Sequence, residues 1–200
     1  MTVGTLIKAI AYLLESVGAP GQWTPQEYRA AMNKAALYAA IKLQLTPSFL
    51  PDSPAIAPGA SSWTITPAPL RILLVREAMT RRILLRSSEA LENRMDPEWR
   101  DKTGIPTAWW PENGNTIQLN RRAPAAPTEV RLSVQVLEAP IPMGLDADPV
   151  DPRFPVNVQQ ALRFLAGAYL LEQAGDRQDL QVADTLRAKF LAEIEGVSNA

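Results

Sequence analysis

Hydrophobic residues recur at helical spacing at both ends of this chain, whereas its middle contains short apolar runs separated by proline and glycine. The repeat runs from Leu6 to Leu14, from Val158 to Tyr169, and again from Leu180 to Ile194. A spacing of three to four residues places such side chains on one face of a helix. The pattern therefore predicts an α+β fold in which helices from both chain ends flank a β-rich middle.

The second helix has the best-marked start. Thr24 and Glu27 form a capping-box pair, and Pro25 takes the first helical position, where its missing N–H has no consequence. Trp23 and Tyr28 stand at the two positions of a hydrophobic staple. The predicted buried face continues at helical spacing through Met32, Ala35, Ala39 and Leu43. Its alanines allow close helix packing, so we expect this helix at the centre of a bundle.

Periodicity is lost between residues 46 and 61, where the sequence is rich in proline. We predict a long loop here, carrying Pro47, Pro51, Pro54 and Pro58. Long loops inside compact domains are uncommon and often functional, which favours a contact arm. A mobile surface loop without a role is the alternative, and the sequence does not decide between them.

Residues 62–139 are predicted to form an inserted β-rich domain. Its expected strands are Ser62 to Thr66, Arg71 to Arg76, Arg82 to Leu85, Ala108 to Trp110, Thr116 to Leu119, and Glu129 to Val136. Residues 70–85 fit strand and helix patterns equally well, so the sequence alone leaves that segment open. Apolar and polar residues alternate in the last strand, which predicts one buried and one wet face. Ser87 and Ser88 should cap a short helix.

The C-terminal part returns to helical patterns. Asn157 and Gln160 resemble a capping box, and Asp176 is expected to begin the last helix. We therefore predict a four-helix body made of residues 1–61 and 140–200, with the β-rich domain inserted between them.

Composition argues against catalysis. The chain contains neither cysteine nor histidine, which removes thiolate nucleophiles, zinc-thiolate sites and the usual general base at neutral pH. Its formal net charge is -1, which is not typical of a protein that binds many phosphates. No apolar run is long enough to cross a bilayer, so no membrane partner is expected. We expect no catalytic residues and no cofactor.

One acidic cluster could suggest a metal. Asp146, Asp148 and Asp151 offer three carboxylates within six positions, and such oxygen ligands suit Ca²⁺. The cluster lacks both the glycine and the terminal glutamate of a calcium-binding loop. We therefore interpret it as a solvated linker and predict no metal site.

Three tryptophans lie close together in the middle of the sequence. Neighbouring strand residues point to opposite faces, so Trp109 and Trp110 cannot both be buried on one side of a sheet. We expect Trp99 and Trp109 in the core and Trp110 at an interface. The same region is rich in arginine, which indicates either a wet sheet edge or pairing with acidic residues of an adjoining subunit.

Several short motifs follow one another in a characteristic order. They are Trp23-Thr24-Pro25-Gln26-Glu27, Asp96-Pro97-Glu98-Trp99-Arg100, Gly104-Ile105-Pro106-Thr107-Ala108-Trp109, Thr116-Ile117-Gln118-Leu119, Arg122-Ala123-Pro124, and Val130-Arg131-Leu132-Ser133-Val134. In order and spacing the chain resembles the phage adaptor family, the head-to-tail connectors similar to tail tubular protein A. The resemblance extends from about Leu6 to Ile194.

The resemblance implies a virion structural protein rather than an enzyme. It implies a homo-oligomeric ring of twelve copies below the portal protein, which extends the DNA channel without binding DNA specifically and docks a tail or nozzle protein. Assembly would take place in the host cytoplasm, and the final location would be the head-tail interface of the virion. It also favours strands within residues 70–85.

The residues that we expect at interfaces combine the proline-rich segment, the arginines and the C-terminal helix. They are Pro47, Pro51, Pro54, Pro58, Trp110, Arg81, Arg82, Arg121, Arg122, Phe190 and Val197. The alternative function is a soluble ligand- or peptide-binding module that uses the tryptophan-bearing β-domain.

Overall fold

A computed structural model describes residues 1–19, 23–174 and 177–195. This part of the chain is a mixed α/β structure with five α-helices and two β-sheets. The chain divides into two compact units, one formed by Met1–Thr46 with Ala139–Ala200 and the other by Pro47–Glu138. We refer to them as the helical unit and the β-unit.

The helical unit contains four α-helices that contribute to one hydrophobic core. They are α1 (Val3–Ser16), α2 (Pro25–Leu43), α4 (Val156–Ala174) and α5 (Arg177–Glu195). The remaining helix, α3 (Glu89–Met95), belongs to the β-unit. None of the helices in the described part of the chain has the length and apolar content needed to cross a bilayer.

The predicted start of α2 is confirmed. The Thr24 hydroxyl accepts a hydrogen bond from the Glu27 N–H over 3.3 Å, and the Thr24 N–H donates to the Glu27 carboxylate over 2.6 Å. Two of the unpaired N–H groups at the helix start are thereby satisfied. The predicted face is buried from Tyr28 to Ala39, and α2 ends at Gln44 in the left-handed conformation, with φ of 50°.

The two C-terminal helices differ from the sequence prediction in detail. α4 begins at Val156, after Pro155, so Asn157 is already helical and the proposed capping box is wrong. Its predicted stripe from Val158 to Tyr169 is buried as expected. Asp176, the predicted start of α5, lies outside the described residues. Leu180 is exposed rather than buried, because the covered face of α5 begins at Ala183.

The segment 139–155 is held by Asp151 and is not a solvated linker. The Asp151 carboxylate is fully buried and accepts hydrogen bonds from the Ile141 N–H and from the backbone and guanidinium of Arg153. Burial alone would raise the pKa of Asp151, but these bonds and the Arg153 charge outweigh it and lower the pKa.

The β-unit contains seven strands in two sheets. They are β1 (Pro47–Phe49), β2 (Ser62–Thr64), β3 (Arg71–Glu77), β4 (Leu85–Arg86), β5 (Ala108–Asn113), β6 (Thr116–Leu119) and β7 (Leu132–Leu137). One sheet has the order β1-β7-β3 and the other the order β2-β6-β5-β4. Residues 70–85 thus contain β3, a turn and the first residue of β4, and no helix. Strand β4 is shorter than predicted and begins at Leu85, where the predicted strand ends.

The predicted loop over residues 46–61 is confirmed for residues 50–61, which contain no helix or strand, whereas Pro47–Phe49 form strand β1. After β1 pairs with β7, the N–H groups of Leu50, Ser53 and Ile56 each donate to a carbonyl oxygen of residues 130–134, over 2.8 to 3.0 Å. Residues 50–56 therefore lie along β7 and are held by single hydrogen bonds, without forming a regular strand. The prolines of this segment lie on the exposed side and have no N–H to lose, which is where the edge of a sheet tolerates proline.

The two sheets are connected on two sides, once by hydrogen bonds and once by the chain itself. On one side, Leu84 donates to Val75 of β3 and Leu85 donates to Thr107, next to β5. On the other side, the segment that begins with β1 goes on to pair with β6 through β2. The strands enclose a single core that includes Ile65, Trp109 and Leu132, and exposed strand edges are thereby covered.

Side chains on both faces of strand β7 are covered, whereas the sequence predicted that one face is exposed to solvent. Ser133 is buried, because its neighbour in register on β3 is Arg76, whose side chain lies on the same face. The Arg76 guanidinium packs over the Phe49 ring of β1 at 4.3 Å. A long side chain can cover a polar strand face in this way while its charge stays near solvent.

Candidate functional site

The carboxylates of the acidic cluster bind arginine side chains and nearby backbone N–H groups. Asp146 pairs with Arg29 over 2.7 Å, and Asp148 accepts hydrogen bonds from the N–H groups of Gly144 and Leu145. Asp151 is occupied by Arg153 as described above. Among the described residues, no three His, Cys, Asp or Glu side chains come together in a way that could hold a metal ion.

The three tryptophans lie on both faces of the four-stranded sheet. Trp109 is buried in the core between the sheets, as predicted. Trp99 is also buried, but on the opposite face, where it meets Trp110 edge to face at 5.1 Å between ring centroids. The prediction that Trp110 is free for an interface is wrong, because the 3-10 helix Trp99–Asp101 covers it.

A small cavity of about 210 Å³ opens beside these two rings. Its walls are Trp99 and Trp110 together with charged and polar side chains: Glu89, Arg100, Glu112 and Gln118. Arg100 forms an ion pair with Glu89 and lies over the Trp99 ring at 5.2 Å. The chain's own guanidinium thus already contacts the aromatic wall of this cavity.

The predicted interface arginines have contacts within the chain. Arg82 donates to the Pro106 carbonyl over 2.8 Å, Arg122 pairs with Asp101 at 3.4 Å, and Arg81 lies 3.9 Å from Asp52. Arg121 is half-buried and packs beside Gly104. Arg82, Arg121 and Arg122 thus all lie against residues 101–106.

The turn before Arg82 is held by a buried carboxylate. Glu77 accepts hydrogen bonds from the N–H groups of Met79 and Thr80 and from the Thr80 hydroxyl, over 2.5 to 3.0 Å. Burial would raise the pKa of Glu77, yet these bonds and the Arg82 charge leave the pKa below its ordinary value. The turn therefore presents Met79, which is exposed, in a fixed position.

The remaining predicted interface residues divide into three groups. Phe190 is fully buried in the helical core and meets Tyr38 edge to face at 6.1 Å, so its assignment to an interface is wrong. Val197 lies outside the described residues. The four prolines are exposed, and their interface role stays a prediction.

An apolar stripe on α2 was missed by the sequence analysis. Leu37, Tyr38 and Ile41 are 37% to 47% exposed, although the opposite face of α2 is buried. Their spacing of one and four residues places them on one side of the helix. This spacing was the available signal, since these residues lie off the stripe that enters the core.

The stripe borders a cavity between α2 and α5. The cavity has a volume of about 210 Å³, and its walls come from Tyr38, Leu165, Tyr169, Arg187, Phe190 and Leu191. We call the stripe of Leu37, Tyr38 and Ile41 together with this cavity the α2–α5 groove. Contiguous exposed apolar surface of this kind is typical of an interaction site.

Charged side chains of both signs flank the groove. The Lys34 ammonium lies 4.1 Å from the centroid of the Tyr169 ring, while Arg187 is paired with Glu172 and with Asp184. Burial raises the pKa of the Tyr169 hydroxyl, which stays neutral at physiological pH. Lys34 forms no ion pair within the described residues, whereas two carboxylates lie beside Arg187.

A second exposed apolar surface lies on the β-unit. Leu91 and Met95 are four residues apart on α3 and are 45% and 72% exposed. They form one ridge along the outer side of that helix. We call this pair the α3 ridge.

Helix α3 is fixed by a satisfied polar network. The Ser88 hydroxyl caps its first turn, and the buried Glu92 accepts hydrogen bonds from Ser87 over 2.6 Å and from Asn120 over 3.3 Å. The Asn120 carbonyl oxygen in turn accepts the N–H of Ala108 over 3.0 Å. Such a network rigidifies the elements that it joins.

Comparison with known proteins gave no relative: no protein-family model matches the chain, and no curated protein sequence matches it significantly.

Proposed function

We propose that this chain is a head-to-tail adaptor of a phage virion, in which α1, α2, α4 and α5 form a four-helix body and the β-unit is its insertion. Copies would form a ring, twelve by the resemblance described above, between the portal protein and a tail or nozzle protein. DNA would pass through the channel without specific contacts, in keeping with the near-neutral net charge.

The observation that carries this proposal is the exposed apolar stripe on α2. A helix that buries one face and leaves Leu37, Tyr38 and Ile41 accessible has surface to bury against a partner. A closed ring requires two different surfaces on each subunit, because each copy meets its neighbours head to tail. The α2–α5 groove and the α3 ridge are two such surfaces, and they lie on different units.

The test is assembly with and without the portal protein of the same phage. We expect the dilute protein to be mainly monomeric, because its charges are scattered and its apolar patches are small. A preassembled portal offers many sites at once and raises the effective concentration of neighbouring subunits, so rings should form on it. Mass photometry of the free protein and electron microscopy of the mixture measure both states.

A matched pair of variants makes the test specific. Ile41→Glu places a charge in the stripe and should abolish ring formation, whereas Tyr12→Glu changes a more exposed residue on α1 and should not. Folded wild-type protein that gives neither a ring nor a complex with portal would rule out the adaptor function.

The alternative function is a ligand-binding module, and the cavity beside Trp99 and Trp110 favours it. Its aromatic wall and the carboxylates of Glu89 and Glu112 suit a small cation or a basic side chain. Thermal denaturation in the presence of arginine and of alkylammonium ions tests this function. A rise in the melting temperature that Glu112→Gln removes, from a protein that stays monomeric with portal, would favour the alternative.

A further inference from the structure

We infer that the cavity beside Trp99 and Trp110 binds the guanidinium group of an arginine from another molecule, and that Arg100 occupies this site in the free protein. The inference goes beyond the adaptor function and does not depend on ring formation, because every wall residue belongs to the β-unit. It gives the alternative function a ligand class and an internal competitor.

A guanidinium group already lies against the walls of this site. The Arg100 guanidinium is 5.2 Å from the centroid of the Trp99 ring and forms an ion pair with the Glu89 carboxylate. Planar guanidinium groups stack on aromatic rings and pair with carboxylates, whereas the lysine ammonium is a compact, strongly hydrated point charge. The contacts of Arg100 therefore show which chemistry these walls accept.

The cavity also has a carboxylate without a partner. Glu112 lines it and forms no ion pair or hydrogen bond within the described residues. The Gln118 amide nitrogen donates to the Ser61 hydroxyl over 2.9 Å, which leaves the amide oxygen as an acceptor. The Trp99 indole N–H is already used by the Asn93 side chain. The wall thus offers mainly oxygen acceptors, which suit a cation with several N–H donors.

The size of the cavity fits the end of one side chain. Its volume is about 210 Å³. Sites that enclose drug-sized ligands have volumes of about 300 to 1,000 Å³, so this cavity is too small for most of them. A guanidinium group with part of its alkyl chain is the largest cation of this kind that a protein side chain supplies.

Arg100 can leave the site at little cost. The side chains of Arg100 and Glu89 are 57% and 54% exposed, and ion pairs exposed to this extent contribute little to stability. Trp99 keeps its edge-to-face contact with Trp110 when Arg100 leaves, so the aromatic wall stays in place. An external guanidinium would then meet the carboxylates of both Glu89 and Glu112.

An NMR titration of the full chain tests the site. The ligands are Nα-acetylarginine amide, which represents an arginine within a peptide, and free arginine. Nα-acetylcitrulline amide has nearly the same shape without the charge, and Nα-acetyllysine amide has the charge without the planar group. We expect saturable shifts of the Trp99 and Trp110 indole N–H signals with the arginine ligands, smaller shifts with lysine and none with citrulline.

Arg100→Ala distinguishes an occupant of the site from a part of its wall. Removal of an occupant should tighten the binding of acetylarginine amide by about two- to five-fold, as expected when an exposed ion pair no longer competes. Adding Glu112→Gln should reverse this gain. The matched control Arg94→Ala removes an exposed arginine of α3 that does not line the cavity, and should leave the affinity unchanged.

The outcomes separate this inference from the adaptor function. Unchanged or looser binding by Arg100→Ala overturns its role as occupant, and equal binding of the citrulline and arginine ligands overturns recognition of the charge. No saturable shift in either wild type or Arg100→Ala overturns the site and the alternative function with it, while ring formation on the portal still decides the adaptor function. Tighter binding by Arg100→Ala that Glu112→Gln reverses supports the inference, and the tighter of the two arginine ligands identifies a peptide or the free amino acid as the source.

Discussion

Trp99 and Trp110 meet edge to face, with their ring planes at 85° and their centroids 5.1 Å apart. The contact lies on the outer face of the four-stranded sheet, while Trp109, the next residue along β5, is buried on the inner face. Two neighbouring indoles of β5 are therefore packed, one on each face of the sheet. The Trp99 indole N–H also donates to the Asn93 side chain over 2.7 Å, which ties the 3-10 helix to α3.

Replacing Trp99 by alanine should lower the free energy of unfolding by about 3 to 5 kcal/mol, because a large buried ring is lost and a cavity remains. Chemical denaturation measures the change. The control Leu91→Ala on the exposed side of α3 should stay within about 0.5 kcal/mol of wild type. An unchanged midpoint for Trp99→Ala would contradict its burial.

Thr24→Ala should lower the free energy of unfolding by about 1 kcal/mol through loss of the N-cap of α2. Glu27→Ala should lower it less, because the Thr24 hydroxyl still accepts the N–H of residue 27. The melting temperatures of both variants, measured beside that of wild type, test this prediction. Equal melting temperatures for all three proteins would mean that this cap contributes nothing to stability.

Local signals predicted much of the secondary structure. The capping box of α2, the Ser88 cap of α3 and strand β6 were found because each depends on neighbouring residues. The hydrogen bonds that hold residues 47–56 to the sheet were not predicted, because their partners, residues 130–137, lie more than seventy positions away. Propensity cannot report such a partner.

Ser53→Ala tests that this segment belongs to the fold. The Ser53 hydroxyl accepts the buried N–H of Leu132 over 2.8 Å, and its removal leaves this donor unpaired. The free energy of unfolding should fall by about 1 to 3 kcal/mol. Ser48, which bonds to Glu138 nearer the surface, provides the control Ser48→Ala, for which a smaller loss is expected. Wild-type stability of Ser53→Ala would mean that this hydrogen bond contributes nothing to the stability of the fold.

Asp151→Asn should reduce stability at neutral pH and flatten its decline in acid. Because the folded state lowers the pKa of Asp151, its contribution is present above the unfolded pKa of about 3.9 and is lost as the pH falls through the folded value. Denaturant midpoints between about pH 7 and pH 2 measure this. The exposed Asp184→Asn should follow the wild-type curve. An unchanged acid profile for Asp151→Asn would rule out the linkage.

The candidate interface was less predictable than the fold. Phe190 and Trp110 were predicted at an interface because they are large and apolar, but such residues are more often buried than exposed. Leu37, Tyr38 and Ile41 escaped notice because a sequence does not show which side of an apolar helix its neighbours will cover. Exposure of that kind is decided by α4 and α5, far along the chain.

The β-unit begins and ends on paired strands. Pro47 and Leu137 are partners in register, and the Ser48 hydroxyl donates to Glu138. Antiparallel partners have their Cα atoms only about 5 Å apart, so the chain enters and leaves the β-unit at two neighbouring points. A module built in this way can be lengthened, exchanged or excised by splicing the chain at two neighbouring positions.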